Sequence, residues 1–473
     1  MKILKRISNI IVWTVLGLYI LVFGASRLTF VQEYMGSRMA RFLSQKLGTS
    51  VSIARMDIGL LNHLTLDNLH IKDQESKDML WCSRLSARME LLPLTEGKIV
   101  LAKAQLFGAH ARLYQKTAND KLNCQFVLDS LASKDTTSTT PLDLRINSLI
   151  LRHTSVSYDC WDAPKTPGKL NPKHLWLKDI STHMVLKTLT EDSLNIKVKR
   201  LSMEEQSGLT INRLSFRFQG GRSQSRLTDF LLRMPGTNLQ LDDVEATYRF
   251  RGDHFVIPSL QYKGGIKPST IRLSDLACLL PSLKTFNSTL SVHADFNGQG
   301  ETLNLPKLLI SSTTGDIGLN MTGWVKDIRQ KEPAWLVDIQ HLDLSGKTIN
   351  FISENLKGEQ AKVPDIINRM GSIHLKGATS GVGLSNITTN NQLNTDAGNI
   401  SISLKMDSQR KFKGDVKTDG INLKRLLDNA HFGRLATQIA LSGQLPENGN
   451  VQVDADGILN TFEYQAISTR TSR

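Results

Sequence analysis

The chain has 473 residues, 40% hydrophobic and 6% aromatic, with a formal net charge of +14. That apolar content is ample for a core and excludes a disordered chain, while the length allows two to four domains of roughly 150 residues or one elongated body. The positive charge is spread along the chain and suits anionic lipid headgroups, lipopolysaccharide or nucleic acid. No RNP aromatic signature, zinc-finger spacing or basic-zipper region occurs, so nucleic acid is not among the expected partners.

The first predicted element is an uncharged apolar run from Ile7 to Ser26, about 20 residues and so long enough for a ~30 Å hydrocarbon core. Lys2, Lys5 and Arg6 precede it, which places the N-terminus in the cytoplasm and everything after Arg27 across the membrane. A cleaved signal peptide is the other reading, since Gly24, Ala25 and Ser26 offer a cleavage site. The run is longer than a usual signal h-region, which favours an uncleaved anchor.

An amphipathic helix follows. Phe30/Val31, Tyr34/Met35, Met39, Phe42/Leu43 and Leu47 repeat every three to four residues, with Gly48 as the stop. Its polar face is not richly basic, which favours a plug at the near end of the body over a helix lying on the bilayer.

From Thr49 onward the period changes to two, with a recurring step of three between apolar pairs. It occurs at Leu64/Leu66/Leu69/Ile71, Leu80/Cys82/Leu85/Ala87 and Leu144/Ile146/Leu149/Leu151, then at Ile196/Val198/Leu201/Met203 and Leu209/Ile211/Leu214/Phe216. Further on come Leu239/Leu241/Val244/Ala246, Phe255/Ile257/Leu260/Tyr262, Leu303/Leu305/Leu308/Ile310 and Val337/Ile339/Leu342/Leu344. In a flat strand such a step sends the second pair to the opposite face. A bulge restores both pairs to one face and adds a bend. The pattern therefore predicts a curved sheet with one apolar face, whose candidate groove-lining residues are Leu64, Leu66, Leu69, Ile71, Leu144, Ile146, Leu149, Leu151, Leu239, Leu241 and Ile257.

In the C-terminal half, alternating strands end on Gly298, Gly323, Gly377 and Gly443, read as the residues of tight reversals. Short helices are expected at Ser274 to Leu283, Lys347 to Leu356, Val363 to Met370 and Leu423 to Ala430. Loops are expected at Ser133 to Pro141, Trp161 to Lys173, Gly220 to Ser225, Lys263 to Thr270 and Asn386 to Asn399. No fixed solenoid period is present.

Signatures of catalysis fail. There is no HExxH, no GxSxG and no complete phosphate or dinucleotide loop: Gly346-Lys347-Thr348 lacks the required earlier glycine, where His341 stands. Asp242-Asp243 falls at a strand skip, where a polar bulge is the default. Cys82, Cys124, Cys160 and Cys278 fit no metal pattern and read as small buried residues. No enzyme, cofactor, catalytic residue or metal site is expected.

The stretch Leu47-Gly48-Thr49-Ser50-Val51-Ser52-Ile53, then Met56-Asp57-Ile58-Gly59 and Leu64-Thr65-Leu66-Asp67-Asn68-Leu69-His70-Ile71, continues through Leu85-Ser86-Ala87 to Leu91-Leu92-Pro93-Leu94-Thr95-Glu96-Gly97-Lys98-Ile99. It resembles the beginning of the AsmA-like and TamB (translocation and assembly module) proteins of Gram-negative envelopes, in their Bacteroides-group form. The resemblance covers most of the chain, more loosely after Ser133. It implies a mainly β fold: an N-terminal transmembrane helix and amphipathic helix, then an elongated, curved antiparallel β-groove with short interspersed helices. The domains expected are 1–28 (cytoplasmic tip and anchor), 29–48 (amphipathic helix), 49–265 (N-terminal groove segment) and 266–473 (continuing groove). TamB proteins are far longer and carry a C-terminal domain without counterpart here, so a truncated or split TamB, or a shorter AsmA-like relative, is expected.

The function implied is that of a single-pass inner-membrane protein with its bulk in the periplasm. It would offer an apolar groove for phospholipid transfer toward the outer membrane, for outer-membrane protein assembly, or for both. Its implied partners are the inner membrane, phospholipid and an outer-membrane barrel protein. The alternative is an anchored structural scaffold or polysaccharide-binding module with a closed core; the scattered tryptophans argue against the second of these.

Overall fold

The structure, a computed structural model, describes residues 11–18, 20–21, 24–25, 27–59, 62–89, 99–131, 144–190, 193–252, 254–286, 288–355, 365–445 and 452–464. The chain is mainly β and divides into two compact units. Unit 1 is Met1–Phe218 with Leu232–Pro235, and unit 2 is Gln219–Leu231 with Gly236–Arg473. The position expected as a boundary, after residue 265, lies inside the strand His254–Arg272.

In unit 1, helix α1 (Thr29–Leu47) precedes strands β1 (Val51–Ser52), β2 (Arg55–Gly59), β3 (His63–Lys72), β4 (Asp78–Met89) and β5 (Ile99–Gln115). Helix α2 (Gln125–Leu131) leads to β6 (Leu144–Ile146), β7 (Ser148–Cys160), β8 (His174–Thr190), β9 (Ser193–Glu205) and β10 (Thr210–Gly221). Among the described pairings whose register is defined, β1–β3, β2–β3, β3–β4, β4–β5, β7–β8 and β8–β9 are antiparallel, and one place differs. There β5 runs parallel to β6 and β7, with Ala104 beside Leu149 and Leu106 beside Leu151. This corrects the expectation of antiparallel pairing throughout. A parallel neighbour needs the chain to return to the end where the strand began, and the segment carrying α2 makes that return.

Among the described residues no helix is long and apolar enough to cross a membrane. The span expected from Ile7 to Ser26 lies partly outside them. Within it residues 11–18 are helical, and Ile11, Val12, Trp13, Val15, Leu16 and Leu18 are exposed. The loop expected from Ser133 to Pro141 also lies outside the described residues.

At the first step of three, Leu66 to Leu69, the local cause is one left-handed residue, Asn68, with φ 52°. Gly108 (φ 55°), His153 (φ 49°) and Asp179 (φ 46°) are single left-handed residues inside the neighbouring strands. They form a seam from strand to strand. Asp67 pairs with Arg84 and Leu69 with Cys82, which sets Asn68 against Ser83. Cys82 pairs with Ala109 and Arg84 with Phe107, which sets Ser83 against Gly108. The parallel register puts Gly108 beside His153, and His153 Nδ1 lies 2.8 Å from Asp179 Oδ1. One left-handed residue resets the side-chain parity, so apolar pairs on either side share a face. At Gly108 a Cβ would stand 2.8 Å from Ser83 Oγ, so glycine suits both the backbone and the space there.

Unit 2 takes in most of β11 (Gln224–Arg233), then β12 (Asn238–Gln240), β13 (Val244–Arg251) and β14 (His254–Arg272). Two 3₁₀ turns, Leu273–Leu276 and Pro281–Thr285, lead to β15 (Thr289–Gln299), β16 (Thr302–Ser312), β17 (Ile317–Lys326) and β18 (Ala334–Leu344). After α3 (Gly346–Asn355) and α4 (Asp365–Met370) come β19 (Ile373–Val382), β20 (Ser385–Thr395), β21 (Gly398–Met406) and β22 (Lys411–Asn422). Helix α5 (Leu423–Leu427), β23 (Phe432–Gln444) and β24 (Gln452–Tyr464) complete it. From β13 to β23 each strand pairs antiparallel with the next, and β24 pairs with β23. Register shifts fall between Leu305 and Leu308 and between Ile339 and Leu342, at the expected skips.

Two expected loops are strands. Lys263 to Thr270 lies within β14, where a Cβ on Gly264 would meet Phe296 Cζ at 2.7 Å and one on Gly265 would meet the Ala294 carbonyl at 2.9 Å. These glycines mark close approach of a neighbouring strand rather than a turn. Most of Asn386 to Asn399 is β20. Its alternating polar residues hydrogen-bond across the sheet, with Thr379 and Thr389 hydroxyls 2.9 Å apart. Nor do Gly323 and Gly377 make reversals. Both lie inside strands, and a Cβ on Gly377 would be 2.1 Å from the Asn390 carbonyl oxygen.

Candidate functional site

In unit 1 the apolar face of β3, β4 and β5 is covered. Leu66 (4% exposed), Leu69, Ile71, Cys82 and Ala109 form a packed core with Ala40, Val51, Ile53 and Met56. Met35, Met39, Leu43 and Leu47 of α1 close over it, joined by Leu64, Leu80, Leu85 and Leu106. The helix comes close because Gly36 carries no side chain: a Cβ there would lie 3.2 Å from the Ile53 carbonyl oxygen. The apolar stripe read for α1 divides accordingly. Met35, Met39, Leu43 and Leu47 face the sheet, whereas Phe30 (68%), Tyr34 and Phe42 are exposed. Thus Leu64, Leu66, Leu69 and Ile71 come together, but as a core beneath a helix.

The hairpin from β3 to β4 is tied down by polar groups. Asp73 is buried, and its carboxylate accepts from the Glu75 and Lys77 amides and from Tyr114 Oη at 2.8 Å. Burial raises the Asp73 pKa, but these hydrogen bonds, with one from Asn123, carry the net shift downward. Glu75 is held at about 2 by its hydrogen bonds to Lys116 and Lys77. Tyr114 stacks on Trp161 with centroids 4.6 Å apart, and Lys77 Nζ sits over both rings. Farther along, buried His174 lies 3.0 Å from Asp159 and 2.9 Å from the Ala163 carbonyl, contacts that raise its pKa. These groups are fully engaged with one another and fix loops.

The other expected groove residues are distributed. Leu149 and Leu151 lie on β7 facing Met184 and Thr182 of β8, half-buried. Leu144 and Ile146 pair with Ile99 and Leu101 along the backbone. Leu239, on β12, and Leu241, bridged to Ile266, precede the Asp242-Asp243 break and are half-buried. Ile257 is half-buried beside Phe255, which is exposed near the tip of the β13–β14 hairpin, not on an inward face.

The most extended apolar surface lies in unit 2, where registers align side chains into rows. One row runs Leu308, Met321, Ile339, Gly377, Asn391, Ile402, Val416, Ile439 over eight adjacent strands. Beside it runs Ile310, Leu319, Leu342, Leu375, Leu393, Ile400. At ~4.8 Å between strands, seven steps make the first row about 34 Å long. The apolar members of both rows are half-buried, while Lys405, Lys413, Asp415 and Lys417 on the opposite face are exposed. Cover exists at one side, where α5 brings Leu426 onto Ile421 and Ala397 with Met370, Ile400, Leu423 and Leu435 packed around. The row has one polar interruption: Asn391 donates to Thr379 at 2.9 Å and Thr389 at 2.6 Å. The skip motif reached only Leu308, Ile310, Ile339 and Leu342 of these rows; for the members on β20 to β22 plain period-two alternation, as in Ile400-x-Ile402-x-Leu404-x-Met406, was the available signal.

Among the described residues no group of His, Cys, Asp or Glu is placed to hold a metal ion. None of the four cysteines is joined in a disulfide, and Cys82, Cys160 and Cys278 are buried. Burial pushes the Cys82 and Cys124 thiols up. A cleft of about 1210 Å³ is lined by β13, β14 and the β15–β16 and β17–β18 turns, with polar and apolar walls alike, and two of its acids are paired: Glu245 with Lys263 at 3.0 Å and Glu301 with Arg329 at 2.5 Å. No family model matches the chain, and neither a curated protein nor a solved structure matches it.

Proposed function

We propose that this chain is a membrane-tethered, non-enzymatic β-protein of the cell envelope whose unit 2 carries acyl chains on its apolar rows. The row from Leu308 to Ile439 is the observation that carries this reading. Its ~34 Å exceeds twice the ~15 Å depth of one leaflet's hydrocarbon, half of a ~30 Å core, so an acyl chain could be accommodated at successive positions. A half-buried apolar row that long is far more surface than isolated exposed side chains provide. The alternation of apolar and charged faces keeps the opposite side wetted.

The tether rests on the apolar run from Ile7 to Ser26 and on the exposed aromatics of α1, Phe30, Tyr34 and Phe42, which suit a lipid–water boundary. The charge bias of Lys2, Lys5 and Arg6 supports a cytoplasmic N-terminus and a periplasmic body. The likeness of the first hundred residues to AsmA-like and TamB proteins supports phospholipid transfer toward the outer membrane, with an outer-membrane barrel protein as a further partner. The test is mass spectrometry of lipids that co-purify with the full chain. Phospholipid should accompany the wild type and fall at least severalfold in Ile402→Glu/Val416→Glu. Absence of lipid from wild type, or equal lipid in the variant, contradicts the reading.

A further inference from the structure

We infer that the β13–β14 hairpin tip is a contact site for an anionic lipid surface, independent of whether the unit 2 rows carry acyl chains. Phe250 and Phe255 are directly paired across the two strands, with Arg251 opposite His254 and Arg249 opposite Val256. Strand alternation therefore sets Tyr248, Phe250 and Phe255 on one face and Arg249, Arg251 and His254 on the other. The three rings form one cluster, with Tyr248–Phe250 centroids 5.8 Å apart, Tyr248–Phe255 5.5 Å and Phe250–Phe255 5.6 Å. Tyr248 is pinned at its base, its Oη donating to the Gly221 carbonyl at 2.7 Å. Phe250 and Phe255 are each 41% exposed.

Most exposed apolar residues need no explanation, but this group differs in three respects. The rings are preassembled, so little side-chain freedom is left to lose on binding. They stand beside Gly252, with φ 62°, where the two strands meet. Both arginines are exposed and enter no ion pair among the described residues, against a single acid in the tip sequence, Asp253. Aromatic rings that settle at headgroup depth, bordered by arginines that meet lipid phosphates, match the chemistry of a bilayer interface. A peptide or a second copy of the chain would have to supply both an apolar pocket and acidic groups.

The test places an environment-sensitive fluorescent amino acid at position 255 of the full chain. A second reporter stands at Ser408, in an exposed turn. Vesicles of phosphatidylglycerol with phosphatidylcholine are compared with phosphatidylcholine alone. Position 255 should shift to the blue on the anionic vesicles, and Ser408 should not. Arg249→Gln/Arg251→Gln should weaken the titration about thirtyfold, since each near-surface arginine contributes about fivefold; Arg251→Gln alone should give the single step, and unchanged melting would show that both variants fold. The proposal is overturned by no shift at 255, by equal shifts at 255 and Ser408, or by a shift insensitive to the arginines. A vesicle-free shift that grows with protein concentration would assign the tip to self-association and equally overturn it.

Discussion

Leu66 in unit 1 and Val416 in unit 2 occupy the same kind of position, an apolar side chain on the inner face of an alternating strand, yet their surroundings are opposite. Leu66 is sealed beneath α1, whereas Val416 is half-buried in a row whose neighbours are half-buried too. Alternation determines which side of a strand is apolar. Whether that side is covered depends on elements distant in sequence, here one helix with a glycine at its point of contact and, at the other unit's margin, one short helix. The comparison separates a core from a candidate track by what lies over it.

The largest effect is expected where cover is complete. Leu66→Glu should bring a charge into a dry core, costing several kcal/mol, and loss of the unit 1 melting transition would register it. Leu66→Ala should cost about 2–5 kcal/mol. A freely tolerated Glu at this position would remove the distinction between the two units.

Next comes a backbone test inside unit 2. Gly377 has φ 137° and no room for a Cβ beside the Asn390 carbonyl, so Gly377→Val should cost about 1–3 kcal/mol in urea unfolding. Replacement without loss would show that the strands there are not so closely apposed. A smaller penalty is expected on the rows: Val416→Glu should cost about 1 kcal/mol, with near-native melting but reduced lipid retention. If Val416→Glu unfolds the unit as Leu66→Glu does, the row is a closed core.

The smallest effect concerns the hairpin tie of unit 1. Glu75 is depressed from 4.5 to about 2, chiefly by its hydrogen bond to Lys116. A carboxylate with a lowered folded pKa contributes stability above its unfolded pKa and loses it as the pH falls through the folded one. The melting-temperature difference between wild type and Lys116→Met should therefore be present at neutral pH, shrink below about 4.5 and vanish near 2. A difference independent of pH would assign the effect to packing of the lysine stem.

Much of this was legible in the sequence. The step of three at Leu66–Leu69 and Ile339–Leu342 marked real kinks and register shifts, and the helix stop at Gly48 is a left-handed cap. What failed did so for physical reasons. Glycine and asparagine were read as turn residues, yet Gly264, Gly265 and Gly377 admit close strand approach, and Asn391 satisfies a cross-strand hydroxyl pair. The parallel β5–β7 pairing depends on a crossover whose return direction no local pattern encodes. Cover over an apolar face is likewise a tertiary property, so Leu66 was named for a groove although it lies in a core.

The most direct measurement places a photo-crosslinking amino acid, in separate full-length proteins, at Ile402, at Val416 and at Leu66, irradiates membranes of living cells and reads adducts by mass spectrometry. The account predicts phospholipid adducts at Ile402 and Val416 and intramolecular adducts alone at Leu66. Phospholipid at all three positions, or at none, would contradict it.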